Sequence, residues 1–139
     1  MHTDKAHSAL QFVGYEVASL SFKAIPNVQW EKNDEQVNIR PQFERSIVKI
    51  DDVHYHLHLS FHLGEEGSGV PFAMDVALIG HFELYGIDNP EDVLHINATA
   101  ILFPYLRALV SQLTTLANIP TLTLPTFNIV EMFREKPQV

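Results

Sequence analysis

The feature that most constrains the fold is a strict alternation of apolar and polar residues at positions 53–63, VHYHLHLSFHL. Successive side chains of a β-strand point to opposite faces of a sheet, so this alternation predicts a strand with one apolar and one polar face. His54, His56 and His58 would then share the polar face, roughly 7 Å apart along the strand. The stretch therefore predicts a sheet with solvent on one side and helices packed on the other.

Three further segments predict strands around this one. They lie within residues 9–25, 36–50 and 70–86, and the segment GEEGSG at 64–69 predicts a turn because it holds three glycines in six residues. Strands joined in order by short connections favour an antiparallel meander. A length of 139 residues, with 46% hydrophobic and 19% charged residues, is typical of one globular domain.

The hydrophobic period changes after Pro90. Apolar residues then recur every three or four positions up to Ala117, which predicts a long helix that Pro104 kinks or divides after Phe103. The segment NIPTLTLPTF that begins at Asn118 is expected to be extended and to precede a short amphipathic helix. The predicted class is α+β: a four-stranded antiparallel meander sheet with both helices on one face. Within a single domain of residues 1–139, we expect disorder over 1–8, the sheet over 9–87, the helical region over 88–117 and the extended segment with its short helix over 118–139.

The long helix carries more apolar surface than one sheet requires. Beside the sheet-facing stripe, a second row of leucines recurs every seven residues, which indicates contact with another subunit. The sequence predicts a homo-oligomer whose interface includes Leu102, Leu106, Leu109, Leu113 and Leu116.

Charge and motifs exclude several classes of function. The net charge is −8 and the nine Lys and Arg residues are scattered, so nucleic acid is not an expected partner. The absence of cysteine removes disulfides and thiol catalysis, and no phosphate loop, Gly-x-Ser-x-Gly or His-Glu-x-x-His motif occurs. We expect no enzyme activity, no cofactor, no membrane insertion, no segment long enough to span a membrane, and a cytoplasmic protein.

The histidines leave one alternative open. His-x-His pairs can chelate zinc or nickel, which would make the chain a metal-binding protein or a metalloenzyme. A catalytic metal would also want an enclosing pocket and a carboxylate, and an open sheet face offers little enclosure. The sequence favours solvent-facing histidines and no metal site.

The C-terminal half resembles the SecB family of export chaperones. The resemblance rests on ILFPYLR at 101–107, on NIPTLTLPTFN at 118–128, and upstream on LGEE at 63–66 and GHFELYGI at 80–87. It implies a homotetramer, built as a dimer of dimers, that holds unfolded or precursor polypeptides without ATP and passes them to the motor SecA.

A chaperone of this kind needs apolar and adaptable side chains exposed to its client. The residues expected to line the client groove are Val28, Trp30, Leu122, Leu124, Phe127, Met132 and Phe133.

The resemblance also assigns motor docking to Leu63 and Glu65. Ser19 and Lys23 stand where the family has acidic residues, and the chain has no cysteine for the family's zinc tail. We therefore expect a weakened SecA contact. This departure motivates an alternative, a SecB-like chaperone dedicated to a single partner such as the antitoxin of a toxin–antitoxin module.

Overall fold

The computed structural model describes residues 9–28 and 41–118, which form four strands and one long helical region. The strands are β1 (Leu10–Ala24), β2 (Gln42–Lys49), β3 (His54–Leu63) and β4 (Phe72–Leu84). The helical region consists of α1 (Pro90–Val93), a π-helical turn (Leu94–Ala98) and α2 (Thr99–Leu116). The predicted α+β class is confirmed. The expectations for residues 1–8 and for the segment after Asn118 lie outside the described residues.

All neighbouring strands are antiparallel, but their order is β1-β4-β3-β2. Strands β2, β3 and β4 form the predicted meander, whereas β1 adds to the far side of β4, which corrects the expected strand order. The connection between β1 and β2, residues 25–41, is long enough to permit this. At ~3.3 Å per residue it can cross three strand spacings of about 4.8 Å each.

The sheet buries one face, as the alternation predicted. From Tyr55 to Leu63 on β3 and from Phe72 to Leu84 on β4, every second residue is buried, and the residues between them are only partly covered. The long helix lies on the buried face. Its residues Leu102, Leu106 and Val110 are fully buried in the core that they share with β3 and β4.

The helix does not end at Phe103, so that alternative is wrong. Pro104 lies inside α2 and is exposed to solvent. A proline removes one backbone hydrogen bond, and at an exposed position water can satisfy the carbonyl that is left free. The irregular part of the helix lies upstream, in the π-helical turn.

By length and composition alone, the helix Pro90–Leu116 could cross a membrane. This corrects the expectation that no segment is long enough. In the structure its apolar stripe packs on the sheet, as it does in the core helix of a globular protein.

Candidate functional site

Strand β1 exposes apolar surface that the sequence pattern did not reveal. Two irregularities in its pairing with β4, between Phe12 and Gly14 and between Val17 and Ser19, shift the register. As a result Tyr15, Val17 and Leu20 pair with buried positions of β4 and face the helix side of the sheet. A bulge adds one residue and changes which side chains share a face. The imperfect alternation of apolar residues in β1 is consistent with these irregularities but does not show which side chains face the helix.

The helix covers only part of β1. Phe12 packs against the core, with its ring 5.5 Å from the ring of Tyr105 on the helix, whereas other apolar side chains of β1 stay exposed. Val17 and Leu20 remain 44% and 47% exposed, and the ring of Tyr15 contacts only the rim of the helix, 4.8 Å from the ring of Tyr105 between centroids. β1 is also an edge strand, which pairs only with β4 among the described residues. An edge strand with exposed apolar side chains is a surface that another chain can cover.

The predicted subunit interface divides into two groups. Leu102 and Leu106 are fully buried in the protomer's own core, so their side chains do not face outward. Leu109 and Leu113 pack on that core with part of their surface exposed, and Leu116 is 81% exposed. The predicted interface residues that are exposed to solvent therefore lie toward the C-terminal end of α2. The interface itself stays a prediction.

Of the predicted client groove, only Val28 belongs to the described residues, and it is half-buried. The other predicted groove residues, Trp30, Leu122, Leu124, Phe127, Met132 and Phe133, lie outside the described ranges. The groove stays a prediction.

The histidines of β3 lie on the polar face, as predicted, and several of them pair with carboxylates. His62 Nδ1 is 2.7 Å from Asp75 Oδ1 on β4, and this hydrogen bond raises the pKa of His62. His54 Nδ1 is 2.9 Å from Asp51 Oδ1, which raises the pKa of His54. Backbone N–H groups of Val53 and His54 donate to Asp51 and lower its pKa to about 2.

Two histidines also contact each other across β3 and β4. The rings of His56 and His81 meet edge to face with centroids 4.3 Å apart, and His81 Nε2 is 2.7 Å from Glu16 Oε2 on β1. Burial, followed by the charge of His81, lowers the pKa of His56. Within residues 9–28 and 41–118, no three histidines or carboxylates are grouped so as to hold a metal ion.

The predicted motor-docking residues differ in exposure. Leu63 is buried in the core, whereas Glu65 is exposed in the β3–β4 turn, 3.6 Å from His62 Nε2. Ser19 and Lys23 are exposed on β1, where they pair with Ala77 and Ala73. They therefore lie on the same polar face as His62 and Asp75.

A shallow pocket of about 310 Å³ occupies this part of the polar face. Its polar lining includes two carboxylates that no sequence motif marked, those of Glu44 and Asp75, together with Ser19, Gln42 and Ser60. The polar face thus carries the negative charges of Glu44 and Asp75, although positions 19 and 23 of β1 are not acidic.

A second groove lies where β2 meets the start of the helix. Its volume is about 310 Å³, and it is lined by Ile47, Lys49, Tyr55, Pro90, Glu91 and His95. Arg45 Nη1 donates a hydrogen bond to the carbonyl oxygen of His95 and lies 3.5 Å from Thr99 Oγ1. Burial and the nearby charge of Arg45 lower the pKa of His95. No motif in the sequence marked His95, because only the tertiary contact with β2 forms this groove.

Over the described residues, these features define an α+β protein in which a long helix covers only part of a four-stranded sheet and leaves apolar surface exposed. Residues 3–139 match the family model described as SecB, preprotein translocase subunit SecB. The chain therefore belongs to the SecB family, which is a family of non-enzymatic chaperones. This confirms the resemblance drawn from the sequence.

The chain is similar in sequence to two other proteins and similar in fold to a third. It is 32% identical over 136 residues to an uncharacterized protein of Methanocaldococcus jannaschii, covering 94% of this chain and 86% of the relative. It is 30% identical over 104 residues to the protein-export protein SecB of Saccharophagus degradans, covering 70% and 61% of the two chains. The Mycobacterium tuberculosis SecB-like chaperone Rv1957, solved with a peptide from the HigA1 antitoxin, has a TM-score of 0.69 at 16% identity, over 85% of this chain and 90% of that one. This last likeness shows the shared fold.

Proposed function

We propose that the protein is an ATP-independent cytoplasmic holdase that binds non-native precursor polypeptides for export. Membership of the SecB family supports this proposal, and the exposed apolar face of β1 carries it. Apolar surface attracts the apolar segments that an unfolded client exposes. A net charge of −8 keeps a protein with such a surface in solution.

The same surface also supports assembly into a dimer of dimers. Four large apolar side chains stay exposed, those of Tyr15, Val17 and Leu20 on β1 and of Leu116 on the helix. Burial of such side chains between subunits would stabilise an oligomer. A homotetramer would cover part of this area and leave the remainder for clients. The client groove predicted from the sequence, which includes Trp30 and Phe127, is part of this proposal.

The experiment that tests the holdase function measures suppression of aggregation. An unfolded model protein is diluted into buffer with and without the purified chain, in the absence of ATP. We expect suppression by the wild type and weaker suppression by the double variant Trp30→Ala with Phe127→Ala. Tyr85→Ala, which removes an aromatic ring at the end of β4, is the matched control. Failure of the wild type to suppress aggregation would contradict the proposal.

A weakened contact with SecA is part of the proposal. Contacts with a motor that depend on acidic groups are sensitive to charge, and each lost charged contact costs about 1–3 kcal/mol. Ser19 and Lys23 are exposed and available for substitution. We expect weak binding in a titration against SecA from the same organism, partly recovered by Ser19→Asp with Lys23→Glu. Tight binding by the wild type would show that another surface makes the contact.

A second candidate function is that of a chaperone dedicated to one partner, such as an antitoxin. It is favoured by Lys23 in place of an acidic residue, and by the M. tuberculosis neighbour, which was solved with an antitoxin peptide. Purification from native cells, followed by identification of the bound polypeptides, separates the two functions. Many clients at low occupancy would support the general holdase, and one stoichiometric partner would support the dedicated chaperone.

A further inference from the structure

His62 lies at the end of β3 on the polar face, with a carboxylate beside each nitrogen of its ring. Nδ1 is 2.7 Å from Asp75 Oδ1 on β4, and Nε2 is 3.6 Å from Glu65 Oε1 in the turn that follows β3. An ionised carboxylate only accepts hydrogen bonds, and a neutral imidazole carries one N–H, whereas the protonated ring carries two. Only the protonated ring can therefore present a proton to both carboxylates.

The charges around this ring come from the neighbouring elements of the sheet. On β2, Glu44 lines the same pocket as His62. On β1, beyond β4, Lys23 lies at the same end of the face, and along β3 the nearest titratable group on this face is His58. Negative charge prevails, which favours the protonated ring. Hydrogen bonding to Asp75 raises the pKa of His62, while burial opposes the shift, so the ring loses its charge at a higher pH than a free histidine does.

The turn that carries Glu65 has a fixed backbone. Ser68 Oγ donates a hydrogen bond to the carbonyl oxygen of Glu65 at 2.7 Å and accepts one from the N–H of Glu65 at 3.2 Å. Gly64 precedes it with a φ of +93°, and a Cβ atom there would collide with the carbonyl oxygen of Phe72. The side chain of Glu65 is 69% exposed. Its carboxylate is therefore the part of the turn that can move toward or away from His62.

Protonation of His62 changes the charge of this group of side chains. With the ring protonated, the two carboxylates and the imidazolium carry one net negative charge, and the ring attracts the carboxylate of Glu65. With the ring neutral, the group carries two negative charges and the attraction on Glu65 is lost. A surface attracts cations more strongly as its negative charge grows, and physiological salt confines the effect to charges within about 8 Å.

We propose that His62 is a pH-dependent gate that controls whether Glu65 binds a basic segment of a partner protein. The protonated ring holds and neutralises the carboxylate, and the neutral ring releases it. The inference rests on the docking role of Glu65 within the proposed function and adds the regulation of that site. A segment with Lys or Arg side chains fits this chemistry, since the adjoining pocket also presents the carboxylates of Glu44 and Asp75.

Proton NMR tests the link between His62 and Glu65 without a partner. In Glu65→Gln we expect His62 to titrate at lower pH than in the wild type, because a carboxylate that favours the protonated ring is gone. Glu66→Gln is the matched control, because it removes the same charge from the neighbouring exposed position of the turn. There His62 should titrate as in the wild type. Equal titration of His62 in all three proteins would overturn the gate.

Binding of a cationic probe tests the consequence for docking. Affinity for a fluorescently labelled hexalysine peptide is measured by anisotropy at pH 5.5 and pH 8.5, in about 0.15 M salt to screen distant charges. Several histidines titrate over this range, so the measured quantity is the ratio of the two affinities. We expect this ratio to favour pH 8.5 about two- to fivefold more in the wild type than in His62→Gln, whose side chain does not titrate.

Two further variants complete the binding experiment. Glu65→Gln should lose the same part of the pH dependence as His62→Gln, so the test does not rest on one variant. His58→Gln removes a histidine four positions away on the same face of β3 and should keep the ratio of the wild type. An equal ratio in the wild type and His62→Gln, or no binding of the peptide at either pH, would overturn the gate. Suppression of aggregation is measured separately, so failure of the holdase function is a different result.

Discussion

Gly80 on β4 and Leu102 on the helix lie so close together that a side chain at position 80 would crowd the leucine methyl groups. A Cβ atom at Gly80 would lie 3.1 Å from Leu102 Cδ2 and 2.8 Å from Phe82 Cε2. The helix can approach the sheet closely because this position is glycine. Gly80 thus permits the close approach of the helix to β4 at this point of the core.

We expect Gly80→Ala to lower the free energy of unfolding by about 1–3 kcal/mol, because an added methyl group overpacks the core. Leu102→Ala alone should cost about 2–5 kcal/mol through the cavity that it creates. The double variant should cost less than the sum, since truncating Leu102 removes the contact of its methyl groups with the new methyl group at position 80, while the contact with Phe82 remains. Urea denaturation of the four proteins measures this coupling, and strictly additive losses would contradict the packing described.

The ion pair of His62 and Asp75 should make stability depend on pH. The hydrogen bond that the His62 ring donates to the Asp75 carboxylate raises the pKa of His62 above its ordinary value of 6.5. The stabilisation by this pair is therefore fully present when the pH is below the pKa of His62 in the unfolded chain. It is lost as the pH rises through the pKa of His62 in the folded protein. We expect Asp75→Asn to cost up to about 1 kcal/mol at pH 5.5 and much less at pH 9, as measured by denaturation.

Two controls belong to this experiment. Burial lowers the pKa of His56 and His95, so these two histidines make the folded protein less stable as the pH falls. The contribution of the His62–Asp75 pair is therefore taken as the difference in stability between the wild type and Asp75→Asn at each pH. Asp88→Asn removes the same charge at an exposed position. Proton NMR should show His62 titrating at lower pH in Asp75→Asn. An unchanged titration would show that the pair does not form in solution.

Assembly should depend on the exposed end of the helix. Leu116→Glu places a charge at an exposed apolar position, and we expect a shift toward smaller species in light scattering coupled to size-exclusion chromatography. Ala108→Glu adds the same charge about 80° away around the helix axis and should shift assembly less. A wild type that stays a 15.8 kDa monomer at micromolar concentration would remove the prediction of an oligomer.

The histidines of β3 should be dispensable for client binding. Replacing His54, His56, His58 and His62 by Thr keeps β-propensity. We expect unchanged client affinity and only a small loss in the free energy of unfolding, because solvent screens these exposed ion pairs. If zinc stabilises the wild type strongly but not the variant, a metal-binding function would replace this interpretation.

Local sequence pattern was sufficient to determine the class of the protein. The alternation at 53–63 identified which face of β3 is buried, and the period of three and four after Pro90 identified the helix. The helix pattern also assigned Leu102 and Leu106 to a subunit interface, although both are buried in the core. Both patterns depend only on the geometry of a single strand or helix. The family was indicated by a different kind of evidence, the resemblance of the motif around Phe103 and Pro104 to the SecB family.

Contacts between distant parts of the chain decided the rest. The place of β1 beside β4 depends on pairing across the sheet, and so does the register shift that turns Tyr15, Val17 and Leu20 toward the helix side. Whether Leu102 or Leu116 faces outward depends on where the sheet ends beneath the helix. The groove at His95 lies between β2 and the start of the helix, and Arg45, fifty positions earlier in the chain, donates a hydrogen bond to the carbonyl oxygen of His95. Side chains that meet across such separations leave no periodic signal in a single sequence, because their contact depends on packing and not on spacing along the chain.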